Sequence, residues 1–510
     1  MKKILNKYPS LLSILFLIFI LGTFYFKTIA PGLTWANNGA DGGDFISAAA
    51  TGGVAHPPGY PFYLTLAKLF QLIPVSNIAY RTNLLSLVCT ISAAILLFKL
   101  AERISCNTSF KWVVGLSSSL VFGLSQLVWS QAVITEVYAL QELLLLSFLT
   151  FLSKNKNGAK FSGGVDIAIG IILGLAIQNH LTAVFFLPLF IVIGIVSING
   201  DRSTSQNNSQ NTFKFPTVKF NWKSLLFRIM GLIIGLLFSL TIFIRANSGS
   251  PIIWGEPKSI SNFLWLISGK MYSGSLFNFS FDFLLTRINL WGSIVKDQIG
   301  VIGLIISAIG FVIIGSKSIK KTIFTLWIFL SFFIFSLLYN SIDSFVYLIF
   351  SIIAISLWFG WGVEVILSFL KSNKILQVSF TLLLIAGLLG YAFKTYPKVD
   401  ASNDKRAENF GKQVVLEAPN DAIIFTDADK DSFTLWYFQY VQNERIDVFI
   451  VVEKLLIYEW YRHSLASVYP SLLIPESTTG SWQKDIKELN PNKAFCNTIV
   501  IEDAYISCNN

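Results

Sequence analysis

The chain has 510 residues, of which 53% are hydrophobic and only 13% are charged. A soluble chain has roughly a quarter of its residues charged, so this composition excludes a wholly soluble protein and indicates a polytopic membrane protein with a smaller soluble part. The formal net charge of +10 fits Lys and Arg retained on the cytoplasmic side of a membrane. No basic run interleaved with aromatic residues stands apart from the apolar segments, which argues against nucleic acid as a partner.

Eleven apolar segments are predicted to form membrane-spanning helices, because each approaches the roughly 20 residues that cross the hydrocarbon core. The first segment lacks a clean signal-peptidase site, so we interpret it as a retained helix. In chain order the segments are residues 10–30, 80–100, 112–130, 132–152, 163–179, 181–198, 225–245, 299–316, 321–339, 344–369 and 376–394.

Basic residues are concentrated in every second connection between these segments, which indicates that those connections face the cytoplasm. The N-terminus is then inside, and so is the polar stretch 200–221, which we expect to be flexible. The connections 31–79 and 246–298 and the tail 395–510 are predicted to lie outside.

One short segment, residues 35–61, carries a high density of polar groups directly after the first apolar segment. It contains Asp41, Asp44 and His56, one of only 3 histidines in the chain, followed by a Pro-Pro-Gly turn. Carboxylates just outside a membrane span suit chemistry on a lipid-borne substrate, because they can accept a proton at the membrane surface. The alternative interpretation is an ordinary polar connection. Residues 62–72 are predicted to lie as an amphipathic helix in the membrane interface.

Three other charged residues lie at the ends of predicted helices. Arg81 begins one helix and Arg245 ends another, so either guanidinium could bind a phosphate at headgroup depth. The alternative is an interfacial anchor whose charged end extends to water. Glu136 lies in the outer turn between two helices, where a carboxylate is costly unless it is used or paired.

The tail changes in composition and is predicted to form a small α/β domain outside the membrane. Residues 404–416 are expected to be helical, and they precede a predicted strand–helix–strand unit. The members of that unit are Ala422–Thr426, Phe433–Val441 and Val448–Val452.

Two smaller features of the tail leave alternatives open. Asp427, Asp429 and Asp431 alternate as in a calcium loop, but the glycine and the final glutamate of an EF-hand are missing, which favours an ordinary turn after a strand. Cys496 and Cys508 both lie in the outer domain, where an oxidising environment permits a disulfide. The sequence does not decide whether they pair.

Seven stretches, in this order along the chain, carry a family resemblance. They are DGGDF, GVAHPPGYPFY, the Arg-x-Asn of residues 81–83, LVWSQAVITEVYAL, GLAIQNHLT, WGEPKSISNFLWLISGKMY and FTDADKDSFTLWYFQYVQNERIDV. Together they resemble the bacterial relatives of the eukaryotic transmembrane O-mannosyltransferases that modify plexin-type domains. That family, long catalogued as a domain of unknown function, is similar to the GT-C glycosyltransferases. Asp44 stands where the family usually has a glutamate.

The resemblance implies a fold and an activity. The expected fold is an α-helical polytopic membrane protein of the GT-C type, with residues 1–396 in the membrane domain and residues 397–510 in the outer α/β domain. The expected activity is transfer of a sugar, a hexose such as mannose, from a polyprenyl-phosphate donor to a hydroxyl of a protein or glycan. The transfer would take place on the non-cytoplasmic side and invert the anomeric centre, with an acid of the first outer connection as base or acceptor anchor.

Eight residues form the predicted site. The predicted catalytic residues are Asp41, our first choice of general base, and Asp44. The residues predicted to hold the donor phosphate are His56, Arg81 and Arg245, because the phosphate needs charge stabilisation as it leaves the sugar. The residues predicted to support the site or the acceptor are Glu136, His180 and Tyr60. No cofactor is assigned beyond the sugar-loaded lipid phosphate, and no ligand spacing indicates a divalent metal, although none is excluded.

Two other classes of protein remain as alternatives. A flippase or carrier of lipid-linked sugars would place charged residues deep in several spans, whereas here they cluster at span ends, apart from Glu142 and Glu364. A non-catalytic envelope assembly factor would use the tail domain to bind a partner, and the acidic first connection would then have no task.

Overall fold

The computed structural model describes residues 9–107, 109–153, 162–193, 196–199, 217–275, 281–478, 480–501 and 504–509. Its first part is a helical bundle. The helices are α1 (Pro9–Thr28), α2 (Gly42–Thr51), α3 (Pro61–Gln71), α4 (Ile78–Ile104), α5 (Lys111–Leu124), α6 (Gln126–Ala132), α7 (Tyr138–Leu152), α8 (Gly163–Asn179), α9 (Leu187–Val192), α10 (Trp222–Leu237), α11 (Thr241–Ala246), α12 (Ile260–Ile267), α13 (Phe281–Lys317), α14 (Ile319–Leu338), α15 (Leu348–Phe369) and α16 (Lys374–Val399).

The bundle confirms an integral membrane protein with many helices. By length and composition, 7 of the described helices can cross a membrane, and the pair α5 and α6, bent by 68°, makes up to 8. Three shorter apolar helices, Tyr138–Leu152, Gly163–Asn179 and Leu181–Val192, correspond to the remaining predicted spans. Each of the eleven predicted segments is thus at least partly helical.

Three predicted boundaries are wrong. The segment predicted as 132–152 becomes helical only at Tyr138, after a non-helical turn that follows α6. The segment predicted as 181–198 stops being helical at Val192, and Val196–Asn199 instead pairs as strand β1 with β2, Thr217–Phe220. The helix predicted to start at residue 299 already begins at Phe281, and it is interrupted at Gly300, where φ is +69°. Glycine tolerates this backbone conformation because it has no Cβ. The stretch 200–221, predicted to be flexible, lies outside the described residues up to 216.

The connection between α1 and α4 folds over the end of the bundle. α2 ends at Gly52, which has a left-handed conformation, and Pro61 occupies the first turn of α3, where its missing N–H costs nothing. Asn77 caps α4 by accepting a hydrogen bond from the Tyr80 amide. The helix predicted for residues 62–72 is therefore confirmed as α3.

The tail forms a four-stranded sheet with helices. Its elements are α17 (Arg406–Glu417), β3 (Ile423–Thr426), α18 (Asp429–Tyr440), β4 (Phe449–Val452), α19 (Glu459–Val468), α20 (Trp482–Leu489), β5 (Phe495–Val500) and β6 (Ala504–Asn509). The strand order is β4-β3-β5-β6, with β3 parallel to both neighbours and β6 antiparallel to β5. The predicted strand–helix–strand unit is β3, α18 and β4. Cys496 and Cys508 face each other across β5 and β6 and are joined by a disulfide.

The tail domain is bound to the connection between α1 and α4 by two sets of contacts. Oδ2 of Asp404 accepts hydrogen bonds from the Thr34 hydroxyl at 2.6 Å and from the Trp35 and Ala36 amides at 2.9 and 2.7 Å. α18 also packs on α2, where a Cβ at Gly43 would lie 2.4 Å from the carbonyl oxygen of Phe433. A side chain at residue 43 would therefore separate the two helices.

Candidate functional site

Asp44 and His56 form a buried pair at the start of α2. Asp44 is completely buried, and its Oδ2 lies 2.7 Å from the His56 ring Nδ1 and accepts the His56 amide at 3.0 Å. Its other oxygen, Oδ1, accepts the indole N–H of Trp254 at 3.1 Å. Asp44 lies in the first turn of α2, where the helix dipole favours a negative charge. Both carboxylate oxygens of Asp44 therefore already accept hydrogen bonds from protein groups.

Asp41 lies on the other side of the same imidazole. Its Oδ2 is 3.8 Å from Nε2 of His56, and 36% of the Asp41 side chain is exposed. His56 thus lies between two carboxylates, one buried and one accessible. Of the two acids predicted to be catalytic, Asp41 is the one that a substrate can reach.

The arrangement sets the protonation of both groups. Burial opposes a charge on His56, but Asp41 and the hydrogen bond to Asp44 outweigh it and raise the pKa of His56 to about 9. Partial burial of its carboxyl raises the pKa of Asp41 to about 7, although the positive charge of His56 counteracts the rise. Near neutral pH, His56 is therefore an imidazolium, and Asp41 has a pKa close to the ambient pH, which is the range best suited to a general base.

Aromatic rings enclose the histidine. The His56 ring centroid lies 5.0 Å from Phe45, 5.1 Å from Tyr60 and 6.0 Å from Trp254. Phe433 of the tail stacks parallel to it at 6.4 Å. The first connection, the 246–298 region and the tail all contribute to this wall, which limits access of water to the Asp44–His56 pair.

Further acidic groups lie around Asp41. Glu136 is 4% exposed, and burial raises its pKa well above the usual range, with Asp41 and Asp343 adding to the rise. Asp429 of α18 also interacts electrostatically with Asp41 and with His56. Within the described part of the chain, no group of three His, Cys, Asp or Glu residues could hold a metal ion. The imidazolium of His56 supplies a positive charge beside Asp41.

Asp343 and Asp429 were not predicted as site residues. Asp429 had been considered only as a member of an alternating acidic turn, and that turn is instead organised by Asp431, whose carboxylate accepts the amides of Asp427, Ala428 and Ser432. Asp343 follows α14 in a short turn that carries no distinctive motif. The single available signal was its place at the outer end of a predicted span, which it shares with Glu136.

His180 is near other aromatic residues of the bundle, not in the His56 cluster. Its Nδ1 lies 2.8 Å from the Thr182 hydroxyl, and its ring is 5.9 Å from Tyr138 and 5.3 Å from Tyr347. Burial lowers its pKa to about 4, so it is neutral near pH 7. Tyr60, by contrast, directly contacts both Phe45 and His56.

The two arginines predicted to hold a phosphate have different surroundings. Arg81 donates to the carbonyl oxygens of Val75, Gln71 and Ser76 at 2.7, 2.8 and 2.9 Å, so its guanidinium closes the turn after α3. Arg245 makes two longer bonds, of 3.2 Å each, to the Gly53 carbonyl and the Thr65 hydroxyl. Gly53 is three residues from His56. Arg245 therefore has the longer hydrogen bonds of the two arginines, and one of these bonds is to the backbone close to His56.

A third arginine, Arg287, lies on α13. It is 3% exposed, and it donates to the carbonyl oxygens of Ser336 and Tyr339 at 2.9 and 3.0 Å. It also bonds the Ser344 hydroxyl and lies over the Trp291 ring at 4.5 Å. These contacts fix the turn that carries Asp343.

Comparison with known families finds two matches along this chain. Residues 41–203 match the family described as the protein O-mannosyl-transferase TMEM260 N-terminal domain. Residues 407–490 match the family described as TMEM260-associated domain 2. The first match begins at Asp41 and includes every predicted site residue except Arg245, and the second contains α18.

Curated relatives give the same result. The chain is 26% identical to the protein O-mannosyl-transferase TMEM260 of Mus musculus, with 86% of this chain aligned to 62% of that protein. It is 24% identical to the protein O-mannosyl-transferase tmem260 of Dictyostelium discoideum, with 93% of this chain aligned to 61% of that protein. The chain thus spans about three fifths of the length of the curated relatives it matches.

Solved structures share the fold. ArnT from Cupriavidus metallidurans bound to undecaprenyl phosphate aligns with a TM-score of 0.56 at 11% identity, covering 97% of this chain and 98% of that one. The apo state of the same protein aligns with a TM-score of 0.50 at 12% identity, covering 97% of each chain. The likeness confirms the predicted GT-C-type fold, and the family matches confirm the predicted resemblance.

Proposed function

We propose, from the premise that this chain is a relative of the TMEM260 O-mannosyltransferases, that it is a membrane glycosyltransferase. It transfers a hexose such as mannose from a polyprenyl-phosphate donor to a hydroxyl of a protein or glycan. The names of the relatives support the sugar and the class of reaction. The ArnT structure, which binds undecaprenyl phosphate, supports a lipid phosphate as the donor's carrier. The alternation of basic connections supports catalysis on the non-cytoplasmic side.

Asp41 is proposed as the general base. The acceptor hydroxyl loses its proton to the Asp41 carboxylate as its oxygen attacks the anomeric carbon. The bond between that carbon and the phosphate oxygen breaks, and the polyprenyl phosphate leaves with the electron pair. A single displacement of this kind inverts the anomeric centre. Asp41 suits the role because it is accessible and because its pKa of about 7 leaves much of it ionised near neutral pH.

His56 and Asp44 are proposed to position and tune this base. The Asp44 carboxylate fixes the ring through Nδ1, so that Nε2 points toward Asp41. The imidazolium lowers the pKa of Asp41 relative to the value that burial alone would give. Without this charge, burial and the neighbouring acidic groups would favour the protonated form of Asp41. An additional role of His56 at the donor phosphate, as predicted from the sequence, is compatible with its positive charge.

Arg245 is proposed to stabilise the leaving phosphate. The polyprenyl phosphate that leaves is a phosphomonoester of low basicity, and it needs a nearby positive charge more than it needs a proton. Arg245 has a guanidinium bonded only weakly, to two neutral oxygens next to the first connection. A phosphate could replace these bonds with shorter, charge-assisted ones.

The observation that carries the proposal is the single imidazolium between a buried carboxylate and an accessible one. A transfer assay in membranes would test it, using polyprenyl-phosphate mannose with a labelled sugar and a hydroxyl-bearing peptide acceptor. The proposal predicts label in the peptide with the native chain and almost none with Asp41→Asn. Equal labelling by both proteins would contradict it.

A further inference from the structure

A cavity outside the Asp41 site lies between the outer ends of two membrane helices. It has a volume of about 190 Å³ and is formed where α13 is interrupted at Gly300 and the last turns of α16 pass beside it. The cavity lies at the same end of the bundle as the Asp41 site. Val399, the last residue of α16, accepts a hydrogen bond from the side chain of Asn37, which is four residues before Asp41.

Three lysines converge on this cavity. Lys296 comes from α13, and Lys394 and Lys398 come from α16. The ion pairs formed among the described residues include none of the three ammonium groups. Asp297 is the one acidic residue of the lining, and its carbonyl oxygen accepts the Tyr391 hydroxyl. The cavity therefore has an excess of positive charge.

The surface below the cavity is apolar. Val301, which lines the cavity, and Ile302, the next residue of α13, are 59% and 75% exposed. Other helices cover little of α16, since only 6% of its most apolar stretch is buried. These side chains therefore face acyl chains when the protein is in a bilayer, while the lysines lie at headgroup depth.

We propose that this cavity binds the headgroup of an anionic phospholipid. A phosphodiester fits the positive charge of the three lysines, and the acyl chains of the same lipid would cover the exposed apolar side chains. Basic pockets between membrane helices are known to select anionic headgroups in this way. The site does not depend on the proposed transfer reaction, and the lipid would act as a structural partner that ties α13 to α16.

Native mass spectrometry of the full chain tests the proposal. The protein would be released from nanodiscs of phosphatidylcholine and phosphatidylglycerol in equal parts, and the lipids that remain bound would be counted. We expect phosphatidylglycerol to be retained preferentially. The triple variant Lys296→Gln, Lys394→Gln, Lys398→Gln should bind it about 100-fold more weakly.

The matched control is the triple variant Lys317→Gln, Lys320→Gln, Lys374→Gln, which removes three exposed lysines from the opposite end of the bundle. It should bind the lipid as the native chain does. Unchanged retention in the cavity variant, or an equal loss in the control, would overturn the proposal. So would weaker retention of an added polyprenyl phosphate by the cavity variant than by the native chain and the control, because the cavity would then belong to the lipid carrier.

Discussion

Nε2 of His56 lies 3.8 Å from Oδ2 of Asp41, while Nδ1 of the same ring lies 2.7 Å from the buried Asp44. The imidazolium therefore links an acid that no substrate can reach to one that is accessible. This relationship assigns different tasks to two carboxylates that are only three residues apart, and it leads to separable experimental consequences.

The first prediction concerns pH dependence. Activity should rise with pH through about 7, because Asp41 accepts a proton only when ionised and its pKa is about 7. His56→Gln removes the positive charge that lowers the pKa of Asp41. The rising limb of the pH–rate profile should then move to higher pH, and the rate at pH 7 should fall.

His180→Gln is the matched control for this experiment. Burial keeps His180 neutral, with a pKa of about 4, and its hydrogen bond goes to Thr182. Its substitution should leave the limb where it is. An unmoved limb in His56→Gln would show that the imidazolium does not act on the base.

The second prediction concerns the phosphate. Arg245→Ala should weaken use of the donor by about 1.5–3 kcal/mol, the range for a lost charge-assisted hydrogen bond. The measurement is the donor concentration dependence of transfer. Arg81→Ala is the comparison, because Arg81 donates to three carbonyl groups of a turn. It should lower thermal stability and leave donor dependence unchanged, whereas the reverse pattern would exchange the two roles.

The third prediction concerns the docking of the tail. Gly43→Ala places a Cβ 2.4 Å from the Phe433 carbonyl oxygen, so α18 must move away from α2. Transfer should fall and the tail should become more sensitive to limited proteolysis. Gly387→Ala is the control, because a Cβ there meets nothing within 4 Å. Native activity and native resistance to proteolysis in Gly43→Ala would mean that transfer does not require close packing of α18 against α2.

The fourth prediction concerns acid stability. Burial opposes ionisation of Asp404, yet hydrogen bonds from Arg406 and Thr34 hold its pKa at about 2, below the usual 3.8. A depressed pKa of this kind stabilises the folded state by about 2 kcal/mol above the unfolded pKa, and this stabilisation is lost as pH falls from about 4 to about 2. Asp404→Asn should lower the unfolding temperature at pH 7 and remove that part of the acid dependence. An identical acid profile in the variant would contradict this assignment.

The helices and the first acidic pair could be predicted from sequence because both depend on local information. Apolar length identifies a membrane helix, and Asp41, Asp44 and His56 lie within one short segment. The interruption at Gly300 could not be predicted, since a glycine inside an apolar helix is usually tolerated. The early start of α13 at Phe281 was missed for a related reason, because its first turns are amphipathic and not continuously apolar.

The rest of the site depends on tertiary docking. Asp429 and Phe433 reach His56 across more than 370 positions of sequence, and no local pattern reports such a contact. Arg81 and Arg245 were indistinguishable in sequence, since both lie at helix ends. Their hydrogen-bond partners separate them, and those partners follow from how the connections fold over the bundle.

The most direct test of the central claim is Asp41→Asn, with turnover and donor binding measured on the same protein. The amide keeps the size of the side chain but cannot accept the proton, so turnover should fall by roughly two to four orders of magnitude. Donor affinity should be retained or slightly tighter, because a negative charge near the phosphate has been removed. Asp44→Asn should cost less turnover, since Asp44 acts through His56. Full turnover in Asp41→Asn, above all with an inactive Asp44→Asn, would contradict Asp41 as the base.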